Sequence, residues 1–124
     1  IDLLHAHDWS MFPASINLQA ALRKPLVVNY YSLQEQRNPG VCNKFTDAVK
    51  QIEWRGSQLS NRILVNEGWM KNELLKCYSP PEKKVNVVDM SNIHWTKDIA
   101  RDYSWVLKNW ESWKYGSCLT KIKN

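Results

Sequence analysis

The sequence predicts a three-layer α/β domain built on a small parallel sheet, and three observations carry that reading. Four short apolar runs, near residues 2–7, 26–31, 62–66 and 84–88, alternate with segments of helical periodicity. The run from Leu26 to Tyr31 is almost continuously β-branched or aromatic, the pattern of a strand buried on both faces, as parallel strands are. Intervening helical segments of about 10 to 16 residues with short connections are the signature of successive right-handed crossovers.

Each element follows from local chemistry. Asp2 to His7 is the first strand, ending in the polar pair His7-Asp8. Ser10 is expected to cap a helix with Pro13 in its first turn, running to about Leu22, where Lys24-Pro25 breaks it. After the second strand a polar loop passes through Asn38-Pro39-Gly40. From Lys44 to Leu59 the apolar residues Phe45, Val49, Ile52 and Leu59 recur at helical spacing against a Glu-, Lys- and Arg-bearing face. Arg62 to Asn66 is the third strand, and Glu67-Gly68 turns the chain into a helix striped by Met70, Leu74 and Leu75 and ended by Ser79-Pro80-Pro81. Lys84 to Val88 is the fourth strand. Thr96 is expected to cap a last helix whose Ile99, Tyr103, Val106, Trp110 and Trp113 form one long aromatic stripe.

Composition narrows the function. With 124 residues, 44% of them apolar, the chain has material for one core. Seventeen basic against twelve acidic residues leave +5, which suits phosphate-bearing partners, but no arginine-rich stripe accompanies it, and nucleic acid is not an expected partner. Cys42, Cys77 and Cys118 form no C-x-x-C pair and are odd in number, which argues against a disulfide framework or a zinc site and for a reducing cytoplasm. No apolar run approaches the roughly 18 residues of a membrane span, and the start at Ile1 carries no secretion signal. Because that start already stands inside a strand-like run, the chain is expected to begin partway through a longer protein. Neither a dinucleotide fingerprint nor a phosphate loop occurs, so no cofactor is expected. Seven Trp are many for this length, and some are expected to face a second domain or a partner.

The chemistry concentrates in His5-Ala6-His7-Asp8-Trp9. Alternation along a strand puts His5 and His7 on one face and brings His7 and Asp8 to the carboxyl end, where α/β sheets bind ligands. His5 reads as a hydrogen-bonded core histidine. An H-x-H pair could open a metal site, but further ligands would be needed and only His94 remains elsewhere, so no metal is expected. Tyr30-Tyr31-Ser32 ending the second strand and Asn66-Glu67-Gly68 ending the third place polar side chains on the same edge. For Glu67 a first-turn position favoured by the helix dipole explains the carboxylate as well as a ligand does.

Four motifs occur in order: Asp2-Leu3-Leu4-His5-Ala6-His7-Asp8-Trp9, Lys24-Pro25-Leu26-Val27-Val28, Val65-Asn66-Glu67-Gly68-Trp69-Met70, and Pro81-Glu82-Lys83-Lys84-Val85-Asn86-Val87-Val88. Together they resemble the second half of the N-terminal domain of glycogen-synthase-like glycosyltransferases of the two-Rossmann-domain type. Lys97 to Trp113, with Arg101-Asp102-Tyr103-Ser104-Trp105-Val106, is similar to the linker toward the second domain in archaeal glycogen synthases. The resemblance implies a partial, acceptor-side Rossmann-like domain over residues 1–95, and a helical linker-like extension and tail over 96–124. It implies retaining transfer of glucose from a nucleotide-sugar donor to an α-glucan acceptor, in an enzyme whose donor-binding domain this chain lacks. The family's H-D-W histidine contacts the transferred sugar, which maps onto His7. His7 and Asp8 are thus the catalytic candidates, and Trp9, Tyr31, Ser32 and Glu67 the substrate-binding ones. The chain departs from the family pattern in three places. Tyr31 stands where a histidine is common and Asn66 where a serine is. Asp89-Met90-Ser91-Asn92-Ile93 replaces a proline-asparagine-glycine-isoleucine turn. Alone, the chain is expected to be inactive and to self-associate as a homo-oligomer through its Trp-rich C-terminal helix. A non-catalytic α/β module binding glycans or a protein through its Trp-rich surface is the alternative.

Overall fold

The computed structural model describes residues 1–123, with side chains as far as Trp110. Four strands, β1 (Leu4–His7), β2 (Leu26–Tyr30), β3 (Arg62–Val65) and β4 (Val85–Val87), form one parallel sheet in the order β1-β2-β3-β4. The connecting helices are α1 (Phe12–Leu22), the short α2 (Gln34–Arg37) followed by α3 (Lys44–Leu59), and α4 (Gly68–Tyr78). Every crossover advances one place in the same direction, so right-handed connections carry the connecting helices to one face. The other face is left to α5 (Trp95–Lys123).

Register divides the sheet residues between two cores. His5 lies beside Val27 and His7 beside Asn29, while Ala6 pairs with Val28 and Tyr30 with Val65. Ala6, Leu26, Val28, Tyr30, Ile63, Val65 and Val85 therefore pack against Phe12 and Ile16 of α1 and Met70 and Leu74 of α4. Val27, Leu64 and Val88 meet Ile99 and Val106 of α5. Burial of this many aliphatic side chains, each contributing about 1.5–3 kcal/mol, is the main stabilising term.

The three-layer fold is as expected, and the strands fall within a residue or two of their expected bounds, the ordinary scatter of element ends. Several local expectations are corrected. Ser10 lies in a 3-10 turn (Trp9–Met11), and α1 starts after it at Phe12, with no side-chain cap and Pro13 in its first turn. Asn43 caps α3: its side chain accepts from the Thr46 N–H at 2.9 Å while the Thr46 hydroxyl accepts from the Asn43 N–H at 3.0 Å. Phe45 and Leu59, expected on the buried stripe, are 66% and 45% exposed, while Val49 is buried as expected and is joined on the buried side of α3 by Thr46, Glu53, Gly56 and Ser57. The polar loop after β2 contains α2. Trp95 opens α5, so Thr96 already stands inside the helix.

Part of the α5 stripe is covered by the sheet. Ile99 and Val106 are buried and Tyr103 packs beside them on the sheet. Trp110 is half-buried, and the side chain of Trp113 lies outside the described residues. Polar contacts fix the helix laterally. Buried Asp102 accepts from Arg62 Nε at 2.8 Å and from Asn86 Nδ2 at 3.0 and 3.1 Å, and the Arg62 guanidinium lies 4.2 Å from the centroid of the Trp105 ring.

Gly56 lets α3 approach the sheet closely. A Cβ built there would stand 2.4 Å from Cδ2 of Phe12 and 3.0 Å from the Tyr30 hydroxyl. Gly56→Ala should therefore destabilise the chain by about 1–3 kcal/mol through overpacking, although alanine is the better helix former; urea unfolding measures the loss.

Lys84, buried just before β4, donates to the Gln58 carbonyl at 3.2 Å and the Ser60 carbonyl at 2.9 Å at the end of α3. Burial pushes its ammonium down to about 8. Above that pH the unfolded chain holds a proton that the folded chain has lost, so stability rises with pH toward the ordinary lysine value of 10.5. Tyr30 and Tyr78, raised above their ordinary 10.0 chiefly by burial, act in the opposite sense once unfolded tyrosine ionises. Thermal unfolding against pH should show stability climbing from about pH 8 to a maximum near pH 10, and Lys84→Met should flatten the climb.

Candidate functional site

The carboxyl ends of β1, β2 and β3 bring together the residues that the sequence singles out. The chain leaves β1 at His7 through Asp8, whose φ of 72° is unusual for a side-chain-bearing residue. The Asp8 N–H donates to the Asn29 carbonyl at 3.1 Å and its carbonyl accepts from the Met11 N–H at 3.1 Å, which holds this corner.

His7 is exposed at the edge, and its Nδ1 lies 2.7 Å from the hydroxyl of Tyr31. The two rings are nearly parallel, with centroids 6.2 Å apart. Burial, followed by the nearby Asp8 carboxylate, raises the Tyr31 phenol above its ordinary value, so it stays protonated. In the tautomer where that hydroxyl donates to Nδ1, the second ring nitrogen of His7 is a hydrogen-bond donor facing the edge. The tyrosine that departs from the resembling family's pattern thus directly engages the histidine.

His5 is on the same face of β1, its ring stacked on His7 with centroids 4.2 Å apart. Its Nε2 bonds the Asn29 carboxamide oxygen and its Nδ1 the Tyr103 hydroxyl. Both nitrogens are committed within the protein, as expected of a core histidine. Burial is the main cause that lowers its pKa below the ordinary 6.5, and the ring is held neutral. Among the described residues no group of three His, Cys, Asp or Glu side chains is placed to hold a metal ion, and no helix is long and apolar enough to cross a membrane.

The other candidates are on this edge with different engagements. Ser32 faces Arg37, whose Nη1 donates to its carbonyl at 2.9 Å and its hydroxyl at 2.8 Å. Trp9 is half-buried, edge-on to Phe45 at 6.4 Å between centroids, with the Arg37 guanidinium 6.0 Å from its ring. Glu67 is exposed, accepts from the Trp69 indole N–H, and stands at the N-cap of α4 without a side-chain cap bond. The structure thus pairs His7 with Tyr31 directly and links Ser32 to Trp9 through Arg37, while Glu67 turns toward Trp69.

Four residues that support this edge were not site candidates from the sequence. Glu53, fully buried on α3, accepts from the Gln34 N–H, from Arg37 at 3.1 Å and from the Tyr78 hydroxyl at 2.7 Å. Arg37 thereby ties Ser32 and Trp9 to the core. Asn29, buried in β2, and Tyr103, on α5, hold His5. One signal was available: a carboxamide inside an apolar strand must find a partner, and the neighbouring strand offers a histidine.

Residues 1–89 match the model described as Glycosyltransferase Family 4, and the chain belongs to that family. An uncharacterized glycosyltransferase of Methanocaldococcus jannaschii is 27% identical to it over 104 residues, which are 84% of this chain and 26% of the relative. The chain spans about a quarter of the length of that curated relative.

The Arg37–Glu53 pair gives a direct test. Arg37→Ala leaves a buried carboxylate without its counter-charge and should cost about 3 kcal/mol in urea unfolding, far above the ~1 kcal/mol of a typical surface pair.

Proposed function

We propose that the chain is the acceptor-side part of a glycogen-synthase-like glycosyltransferase, transferring glucose from a nucleotide sugar to an α-glucan once joined to a donor-binding domain. On this reading residues 1–95 form the partial N-terminal domain and 96–124 the extension toward the second. One observation carries the proposal: an exposed His7 at the carboxyl edge, oriented by Tyr31 so that its second ring nitrogen can donate to a sugar hydroxyl. Membership of the family supports sugar transfer, and the four motifs in order support the subtype. Burial, followed by the Asp8 carboxylate, holds the Tyr31 phenol above its ordinary value. Tyr31 and Trp9 offer ring faces of the kind that sugars pack on. Free Cys42 and Cys77 accord with a reducing cytoplasm.

Transfer needs a second wall. A retaining transferase must exclude water and hold a donor diphosphate with cations or helix termini, which a one-sided cleft cannot do. The isolated chain is therefore a binder of acceptor without turnover. A second reading, a non-catalytic glycan-binding or protein-interaction module, draws on Trp54 and Trp69, which are 48% and 55% exposed.

The test is an NMR titration of the chain with maltooligosaccharide, beside a radiolabel assay with nucleotide-glucose donors and glycogen. Binding should shift His7 and Tyr31 signals, and His7→Ala should weaken it about tenfold, or ~1.4 kcal/mol, with no label transferred. Unchanged affinity in His7→Ala would defeat the proposal, and shifts confined to Trp54 or Trp69 would favour the module.

A further inference from the structure

We propose that Tyr103 is a positioning residue for His7, acting through His5, so that the seat of α5 on the sheet sets how His7 is presented at the cleft. The significance of this coupling rests on His7 meeting the sugar, as proposed above, but the coupling itself is a property of the described chain.

The contacts form an unbroken series from the helix to the edge. Asp102, next to Tyr103, is pinned by Arg62 and Asn86, and Ile99 and Val106 are buried on the sheet. These fix the height and rotation of α5 where Tyr103 projects. The Tyr103 ring meets His5 edge-on at 88°, with centroids 5.5 Å apart, and its hydroxyl reaches Nδ1. On the opposite side of the imidazole, Nε2–H donates to Asn29 Oδ1. A neutral imidazole has one donor and one acceptor nitrogen, and here each has its own partner. The ring of His5 can neither flip nor tilt without breaking a hydrogen bond.

His7 is stacked on that ring at 4.2 Å and 24°. One face of His7 is therefore set by His5 and one nitrogen by Tyr31, which leaves it one orientation. Remove the Tyr103 hydroxyl and His5 keeps only the Asn29 bond, so the ring beneath His7 gains freedom. The charged or titratable groups facing His5 are His7 on its own strand and Asp102 on α5, the latter neutralised by Arg62 of β3; Asn29 and Tyr103 are neutral partners. Among the described residues, the phenol hydroxyl is the atom of this series that joins α5 to the His5 ring, and it is the one to test.

The experiment is nitrogen-detected NMR of the imidazoles in the 124-residue chain, comparing the unaltered protein with Tyr103→Phe and Tyr31→Phe. In Tyr103→Phe the His5 titration should move up toward the ordinary histidine value by about half a pH unit or more, the scale on which one hydrogen bond biases a protonation equilibrium. His5-to-His7 ring contacts should weaken, and the Nδ1 signal of His7 should move although residue 103 does not touch it. Unchanged His7 signals in Tyr103→Phe, with clear movement in Tyr31→Phe, would overturn the coupling. So would loss of the Val106-to-Leu64 contacts, because the hydroxyl would then be holding the helix and not the ring. Neither outcome depends on sugar: a coupled His7 that fails to answer maltooligosaccharide would defeat the functional reading alone.

Discussion

A buried carboxylate organises the edge of this sheet. Glu53 is fully enclosed, and an ion in that position is costly unless its lone pairs are filled and its charge is balanced. Its partners come from two directions: the Gln34 N–H and Arg37 from the segment after β2, and the Tyr78 hydroxyl from the end of α4. The Tyr30 hydroxyl donates to the Glu53 main-chain carbonyl from the last residue of β2. Such a pair adds little net stability compared with an apolar replacement, but any arrangement that misplaces one partner strands a charge. The connection from β2 to α3 consequently has one low-energy path, and Tyr31 and Ser32 are carried along it to the carboxyl edge.

The opposite face works by a different division. Aliphatic contacts between Val27, Leu64 and Val88 and the underside of α5 supply attraction without direction. Direction comes from Asp102 with Arg62 and Asn86, and from Tyr103 with His5. The polar groups that position the helix are the same ones that reach toward the candidate site, so fold specificity and site geometry share residues.

Much of this was legible in the sequence because period is a backbone property. Apolar runs split by helical segments fixed the layers, and alternation put His5 and His7 on one face, as the register with Val27 and Asn29 shows. What was not legible depends on pairing across distance. Glu53 reads as one more charge on the polar side of an amphipathic helix; only the return of Arg37 from the preceding loop makes the interior tolerable for it. Phe45 reads as core and is exposed because Asn43 and Thr46 cap α3 so as to turn that first turn outward. Ser10 reads as a cap, but the strained corner at Asp8 and the 3-10 turn spend those residues before the helix begins. The stripe on α5 was read correctly as apolar, while its destination, the second face of the sheet, required knowing that all three crossovers lie on the first.

The placement of α5 also orders events in time. The bond between His5 and Tyr103 closes a separation of 98 residues, the widest of the side-chain contacts that hold this edge. During synthesis the strands and their connecting helices leave the ribosome before Tyr103 does. Until it arrives, His5 lacks one of its two partners. Such long-range closure is slow, because the loop entropy is lost before the contact rewards it. A nascent chain that has reached only α4 therefore still lacks Ile99 and Val106, the helix side chains buried against Val27, Leu64 and Val88.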